Sequence, residues 1–112
     1  MDQRQIQRFR TRLELRQQEL RLSIEDQRQY ARKTEPEPDV LDQATSAYEK
    51  ESVLQRSNDE QQLLGMVESA LRRIRADSFG QCLSCGKEID GGRLAAVPWT
   101  RYCIQCQEDF ER

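Results

Sequence analysis

The chain has 112 residues, 34% of them charged, with a mean hydropathy of -0.94 and a net charge of -2. So little apolar material excludes a large globular core, and a chain of this size then leans on a metal, a disulfide or long self-supporting helices. No apolar run approaches the ~18 residues needed to span a bilayer, and MDQRQIQRFR lacks the apolar region of a secretory signal, so a cytoplasmic protein without a membrane segment is expected.

Residues 3 to 33 contain neither Gly nor Pro and are rich in Gln, Arg, Glu and Leu, which predicts one long helix. Ile6, Phe9, Leu13, Leu20 and Tyr30 fall on a 3-4 spacing interrupted by Arg16, Ser23 and Gln27. A stripe this narrow suits one neighbouring helix rather than a surrounding core. Residues 1 to 33 carry nine basic and five acidic side chains, whereas residues 34 to 60 carry two and eight. No concentrated basic face emerges of the kind that supplies affinity to autonomous DNA binders.

KTEPEP ends the first helix, because Pro36 and Pro38 lack amide donors and push the residues before them toward extended geometry. Asp39 and Asp42 follow, one helical turn apart, with Ala44 beside them. Two readings of this acidic stretch stand side by side. In one, Asp39 is a helix cap and Asp42 a first-turn acid favoured by the helix dipole. In the other, both carboxylates address a basic group or a metal ion on a partner.

From about Val40 to about Asp77 a second helix is predicted, with Leu64, Val67, Leu71 and Ile74 as its apolar seam and a nearly all-polar stretch at 50 to 62. Two antiparallel helices joined by the proline turn place the seams face to face. Arms of roughly 31 residues at ~1.5 Å per residue extend on the order of 45 Å and carry the acidic turn at the far end. Gly80 in ADSFGQC suits a left-handed C-terminal cap, and Arg72, Arg73 and Arg75 read as a solvated basic face.

Residues 82 to 106 spell C-x2-C-x17-C-x2-C through Cys82, Cys85, Cys103 and Cys106, with Gly86 placed for the first tight turn. In a reducing compartment such spacing points to metal rather than disulfides, and four thiolates leave no open coordination position. One structural Zn2+ is therefore expected. Ile89 and Leu94 are expected inside this module, and Trp99, Tyr102 and Phe110 to pack over it or over the hairpin base. With no histidine in the chain, Cys2His2 sites, Ser-His-Asp triads and histidine bases are excluded, and no enzymatic activity is expected.

These features together resemble the DksA/TraR family of bacterial transcription factors. The resemblance rests on FGQCLSCGKEI at 79 to 89, RLAAVPWTRYCIQC at 93 to 106, and a D-x-x-D-x-A tip at Asp39, Asp42 and Ala44. It implies a mostly α fold, with a long antiparallel coiled-coil hairpin over 1 to 78, its acidic tip near 34 to 44. A small four-cysteine zinc-finger module with a short C-terminal helix follows over 79 to 112. It also implies that a monomer binds bacterial RNA polymerase, inserts the tip into the secondary channel and modulates initiation without sequence-specific DNA binding. Where members responsive to ppGpp carry basic residues, Met66, Val97 and Gln107 stand here, so weak or absent ppGpp dependence is expected. The other readings are a transcript-cleavage stimulating factor that uses the tip carboxylates to hold Mg2+, and a zinc-ribbon nucleic-acid binder.

Overall fold

In the computed structural model, the backbone of residues 1 to 33 and 40 to 112 is described, and the side chains of residues 1 to 32 and 47 to 112. Helix α1 runs over Gln3–Lys33 and α2 over Val40–Arg75; the short α3 (Gly91–Ala96) and α4 (Ile104–Glu111) follow. No strand occurs among the described residues, where an isolated antiparallel bridge joins Gln81 and Glu88. The fold is the expected mostly α arrangement of a coiled-coil hairpin and a four-cysteine module. No helix of the described residues is long and apolar enough to cross a membrane.

A capping box opens α1: the Asp2 carboxylate accepts from the Gln5 amide at 2.8 Å, and the Gln5 side chain accepts from the Asp2 amide at 3.0 Å. Two of the orphan donors at the start of the helix are thereby satisfied. The C-terminus of α2 departs from expectation, since the helix closes at Arg75 and the left-handed residue is Asp77, at φ 58°, rather than Gly80. The Ser78 amide donates to the Arg73 carbonyl at 2.9 Å and the Asp77 amide to the Ile74 carbonyl at 3.3 Å. That is a Schellman closure, which needs one left-handed residue two places after the last helical one. Gly80 is left-handed too, at φ 89°, but serves the chain reversal into the module, where its carbonyl accepts from Ile89 at 2.8 Å.

The long helices contribute to two compact units, one built from Met1–Gln17 and Gly65–Arg112, the other from Gln18–Leu64. In the first, Leu13 of α1 is buried together with Val67, Ala70, Leu71 and Ile74 of α2. Gln17 reaches across to Glu68 at 3.2 Å. In the second, Leu20 and Ile24 are buried beside two polar residues, Gln27 at 4% exposure and Ser57 at 7%. Gln27 bonds Glu60 at 3.3 Å and Tyr30 bonds Glu49 at 3.2 Å, so partners on α2 fall back as α1 advances. The helices are antiparallel. Inward positions repeat every seven residues, at Ile6, Leu13, Leu20 and Gln27 on α1 and at Val53, Glu60, Val67 and Ile74 on α2, as a coiled-coil seam requires.

Candidate functional site

The four cysteines come from two differently built turns. In the first, Cys82 and Cys85 flank a reversal closed by Gly86 N–H to the Cys82 carbonyl at 3.0 Å and Cys82 N–H to the Lys87 carbonyl at 2.8 Å. Gly86 sits at φ 76°, where a Cβ would strain the backbone, so this turn calls for glycine. In the second, Cys103 is the N-cap of α4 and Cys106 lies in its first turn. A hydrogen bond from the Leu83 amide to the Arg101 carbonyl at 2.9 Å ties the first turn to the segment entering the second.

The four sulfur atoms all lie within 4.8 Å of one another, and those of Cys85 and Cys103 are 3.8 Å apart. At a Zn–S distance of about 2.3 Å, a tetrahedron places its sulfurs about 3.8 Å from one another. The donor set and its spacing therefore fit one structural zinc ion. Electrostatics show why the cluster wants a cation. Burial of Cys82 pushes its thiol pKa up, but hydrogen bonds from the Cys85, Cys103 and Ser84 amides and from the Cys85 thiol outweigh that and take it down to about 6. Cys106 is pushed up to about 12, first by its hydrogen bond with Cys103 and then by desolvation. One thiolate is favoured and its neighbour resists a second charge, a conflict that a divalent ion at the centre removes.

Around the sulfurs, Cys82, Ile89 and Leu94 form a small buried cluster, with Phe9, Phe79 and Tyr102 packed against it. Phe9 comes from α1 and meets Phe79 at a centroid distance of 5.3 Å, anchoring the module to that helix. Tyr102 packs as expected. Phe110 is 57% exposed while its ring stands edge-on to Tyr102 at 4.8 Å. The expected solvated basic face holds for Arg72 and Arg75 but fails for Arg73, which is buried. The helical turn sets Arg73 on the inner side with Ala70 and Ile74.

Sequence reasoning missed α3, whose start is marked by Asp90, the N-cap that accepts from the Gly92 amide at 3.1 Å. The adjacent Gly91 and Gly92 disguised that signal as a loop. Asp39 and the side chains of Asp42 and Ala44 lie outside the described residues.

Residues 77–112 match the family model for the prokaryotic dksA/traR C4-type zinc finger. Over its whole length the chain is similar to the RNA polymerase-binding transcription factor DksA of Caulobacter vibrioides, at 31% identity, covering 80% of that protein. A protein of Aquifex aeolicus without an assigned role is 36% identical over 79% of this chain, which spans 61% of that relative. Among solved structures, transcription factor DksA2 from Pseudomonas aeruginosa superposes with a TM-score of 0.87 at 31% identity, covering 99% of this chain and 86% of that one.

Proposed function

The chain belongs to the DksA/TraR family, and from that premise we propose that it is a regulator of transcription that binds RNA polymerase and is not itself an enzyme. The single observation that carries this reading is the match, along the entire chain, to a protein named for binding that polymerase. One zinc ion held by Cys82, Cys85, Cys103 and Cys106 takes the place of a hydrophobic core in the module. The closed tetrahedron supplies structure, not reactivity.

The working end is the acidic stretch near 34 to 44, with Asp39, Asp42 and Ala44 as its contact residues. In this reading the arm of residues 1 to 78 enters the secondary channel and the two carboxylates act near the active site of the polymerase, altering initiation. Carboxylates separated by one turn address arginine, lysine or Mg2+, and Ala44 permits close approach. Recognition is of protein, not of base sequence. The acidic balance of residues 34 to 60 opposes binding to free DNA, because phosphate contacts demand cations. Met66, Val97 and Gln107 offer no charge to a polyphosphate, so the monomer acts with little or no help from ppGpp.

The test compares wild type with Asp39→Asn/Asp42→Asn in polymerase binding and in initiation assays with purified components. Retained binding with lost regulation supports the tip assignment; full regulation by the double variant refutes it. Cleavage of backtracked RNA by polymerase on addition of the protein would instead establish a transcript-cleavage factor.

A further inference from the structure

Arg4, Arg8, Arg12 and Arg16 follow one another at four-residue spacing along α1. Like charges so placed repel one another, and no acidic residue stands three or four places from Arg8 or Arg12 to offset them. Among the described residues neither Arg8 nor Arg12 belongs to an ion pair. Arg12 lies over the Phe9 ring, its guanidinium carbon 6.0 Å from the centroid, a contact that leaves most of its charge uncompensated.

Both arginines open onto one groove of about 430 Å3. Its first wall is the α1 face that carries Arg8, Phe9 and Arg12, and its second is Gly91, Leu94 and Ala95 of α3. Leu94 is 2% exposed and Phe9 packs against the cluster around it, so the floor is fixed and apolar. Small residues keep the space above that floor: a Cβ added at Gly91 would meet nothing within 4 Å, and Ala95 is exposed. Pockets of about 300–1,000 Å3 with an apolar floor and a few polar groups are the usual form of small-molecule sites. An adjoining groove shares Met1, Gly91 and Leu94 but carries Asp77 and Glu88 in place of the arginines. Charge of opposite sign thus flanks one apolar floor.

We propose that the groove between α1 and α3 is a binding site for a single-chain amphipathic anion, with its apolar body on Phe9, Leu94 and Ala95 and its carboxylate or phosphate head between Arg8 and Arg12. The body gains by leaving water, and the head accepts from two guanidinium forks while relieving the repulsion between them. Asp77 and Glu88 repel an anionic head and so direct it toward the arginines. The occupant ties α1 to α3 and, through Leu94, to the cluster beneath the cysteines. This site does not depend on polymerase binding.

The test titrates octanoate, octyl phosphate, acetate and octylammonium separately, below their micelle concentrations, into the full, zinc-loaded, 15N-labelled chain at constant pH and ionic strength and follows amide chemical shifts. Saturable shifts at Arg8, Phe9, Arg12, Leu94 and Ala95 are expected with octanoate or octyl phosphate, and whichever saturates at lower concentration identifies the head group. Acetate lacks the body and octylammonium reverses the charge, so neither should saturate in the same range. Arg8→Gln together with Arg12→Gln, both at exposed positions, should weaken apparent affinity about tenfold, the loss of one charge-assisted contact. Ala95→Glu sets a carboxylate on the opposite wall and should abolish saturation; helical circular dichroism checks that each variant folds, and either one alone suffices for the comparison. Absence of saturable shifts with both anions, shifts centred on other residues, or equal binding of acetate or octylammonium would overturn the proposal. So would undiminished affinity in a folded variant.

Discussion

Replacing the polar pair inside the Gln18–Leu64 unit should show opposite signs for one substitution and for two. The Gln27 amide donates to Glu60 at 3.3 Å and to Ser23 at 3.2 Å, both long, while Gln27 Oε1 and Glu60 Oε2 are buried without any partner. A buried polar atom left unsatisfied costs about 1–3 kcal/mol, whereas replacing both partners by apolar groups of similar shape is neutral or favourable. Gln27→Leu alone removes one unsatisfied oxygen but sets a leucine against the Glu60 carboxylate, and should lower stability by about 1–2 kcal/mol. Adding Glu60→Leu removes the stranded charge and buries two apolar side chains. It gives up only the pair with Arg56 at 4.0 Å, a contact of at most about 0.5 kcal/mol on a helix surface. The double variant should then exceed wild type by about 2 kcal/mol, and so stand roughly 3–4 kcal/mol above Gln27→Leu alone. Urea unfolding of the zinc-loaded chain, followed by helical circular dichroism with the denaturant slope checked for constancy, measures both. A double variant as unstable as the single one would show that the pair is a net stabilising contact and that the two bare oxygens cost nothing.

Two backbone substitutions of opposite kind should both stabilise. Gly65→Ala adds a Cβ that meets nothing within 4 Å on a helix, and Asp77→Gly relieves a side chain at φ 58°; each is expected to add about 0.5–1 kcal/mol in the same urea assay. Glu49 accepts from the Tyr30 hydroxyl and raises its pKa, chiefly through that hydrogen bond. Folding thus favours the protonated phenol, so this contribution is full below the ordinary value near 10 and fades as pH climbs through the raised one. Tyrosinate absorbance should show one late-titrating group that returns to normal in Glu49→Gln. Zinc removal by a chelator, or Cys103→Ser, should abolish amide protection at Ile89 and Leu94 and leave that around Gln27 unchanged. Because zinc competes with protons for the thiolates, falling pH should release the metal; protection of Ile89 that survives chelation would contradict a metal-built module.

Much of this was legible because the signals were local. Residues 3 to 33, free of Gly and Pro and followed by Pro36 and Pro38, gave both limits of α1, and the cysteine spacing gave the sulfur cluster. What escaped depends on contacts that no local pattern carries. The α2 terminus was placed late because its closure uses Asp77, a residue that adopts the left-handed region less readily than glycine. Ile24 was passed over beside Ser23, although Ile24 is the one buried. Arg73 looked like its neighbours Arg72 and Arg75 until packing separated it from them. Asp39 and the side chains of Asp42 and Ala44 lie outside the described residues, so for these three the sequence remains the source of the assignment.

Gln27 looked like an interruption of the seam and Ser57 lay in the polar stretch at 50 to 62, yet both are buried, since the seven-residue repeat fixes which positions face inward whatever side chain occupies them. The consequence is unequal stability along the same two helices. The unit containing the module buries Leu13, Val67, Ala70, Leu71 and Ile74 and adds the cluster at Cys82, Ile89 and Leu94. Among the described residues, the Gln18–Leu64 unit buries only Leu20 and Ile24 as apolar side chains. Burying one leucine or isoleucine side chain contributes about 1.5–3 kcal/mol, so two of them beside an imperfectly bonded polar layer hold the second unit far less firmly. Local opening follows local burial. Amides near Gln27 and Ser57 should therefore exchange with solvent well before those near Val67 and Leu71, and the double leucine variant should narrow the gap by slowing the faster set. Uniform exchange along α2 would mean that the helices open as one cooperative body and that the polar layer carries no separate weakness.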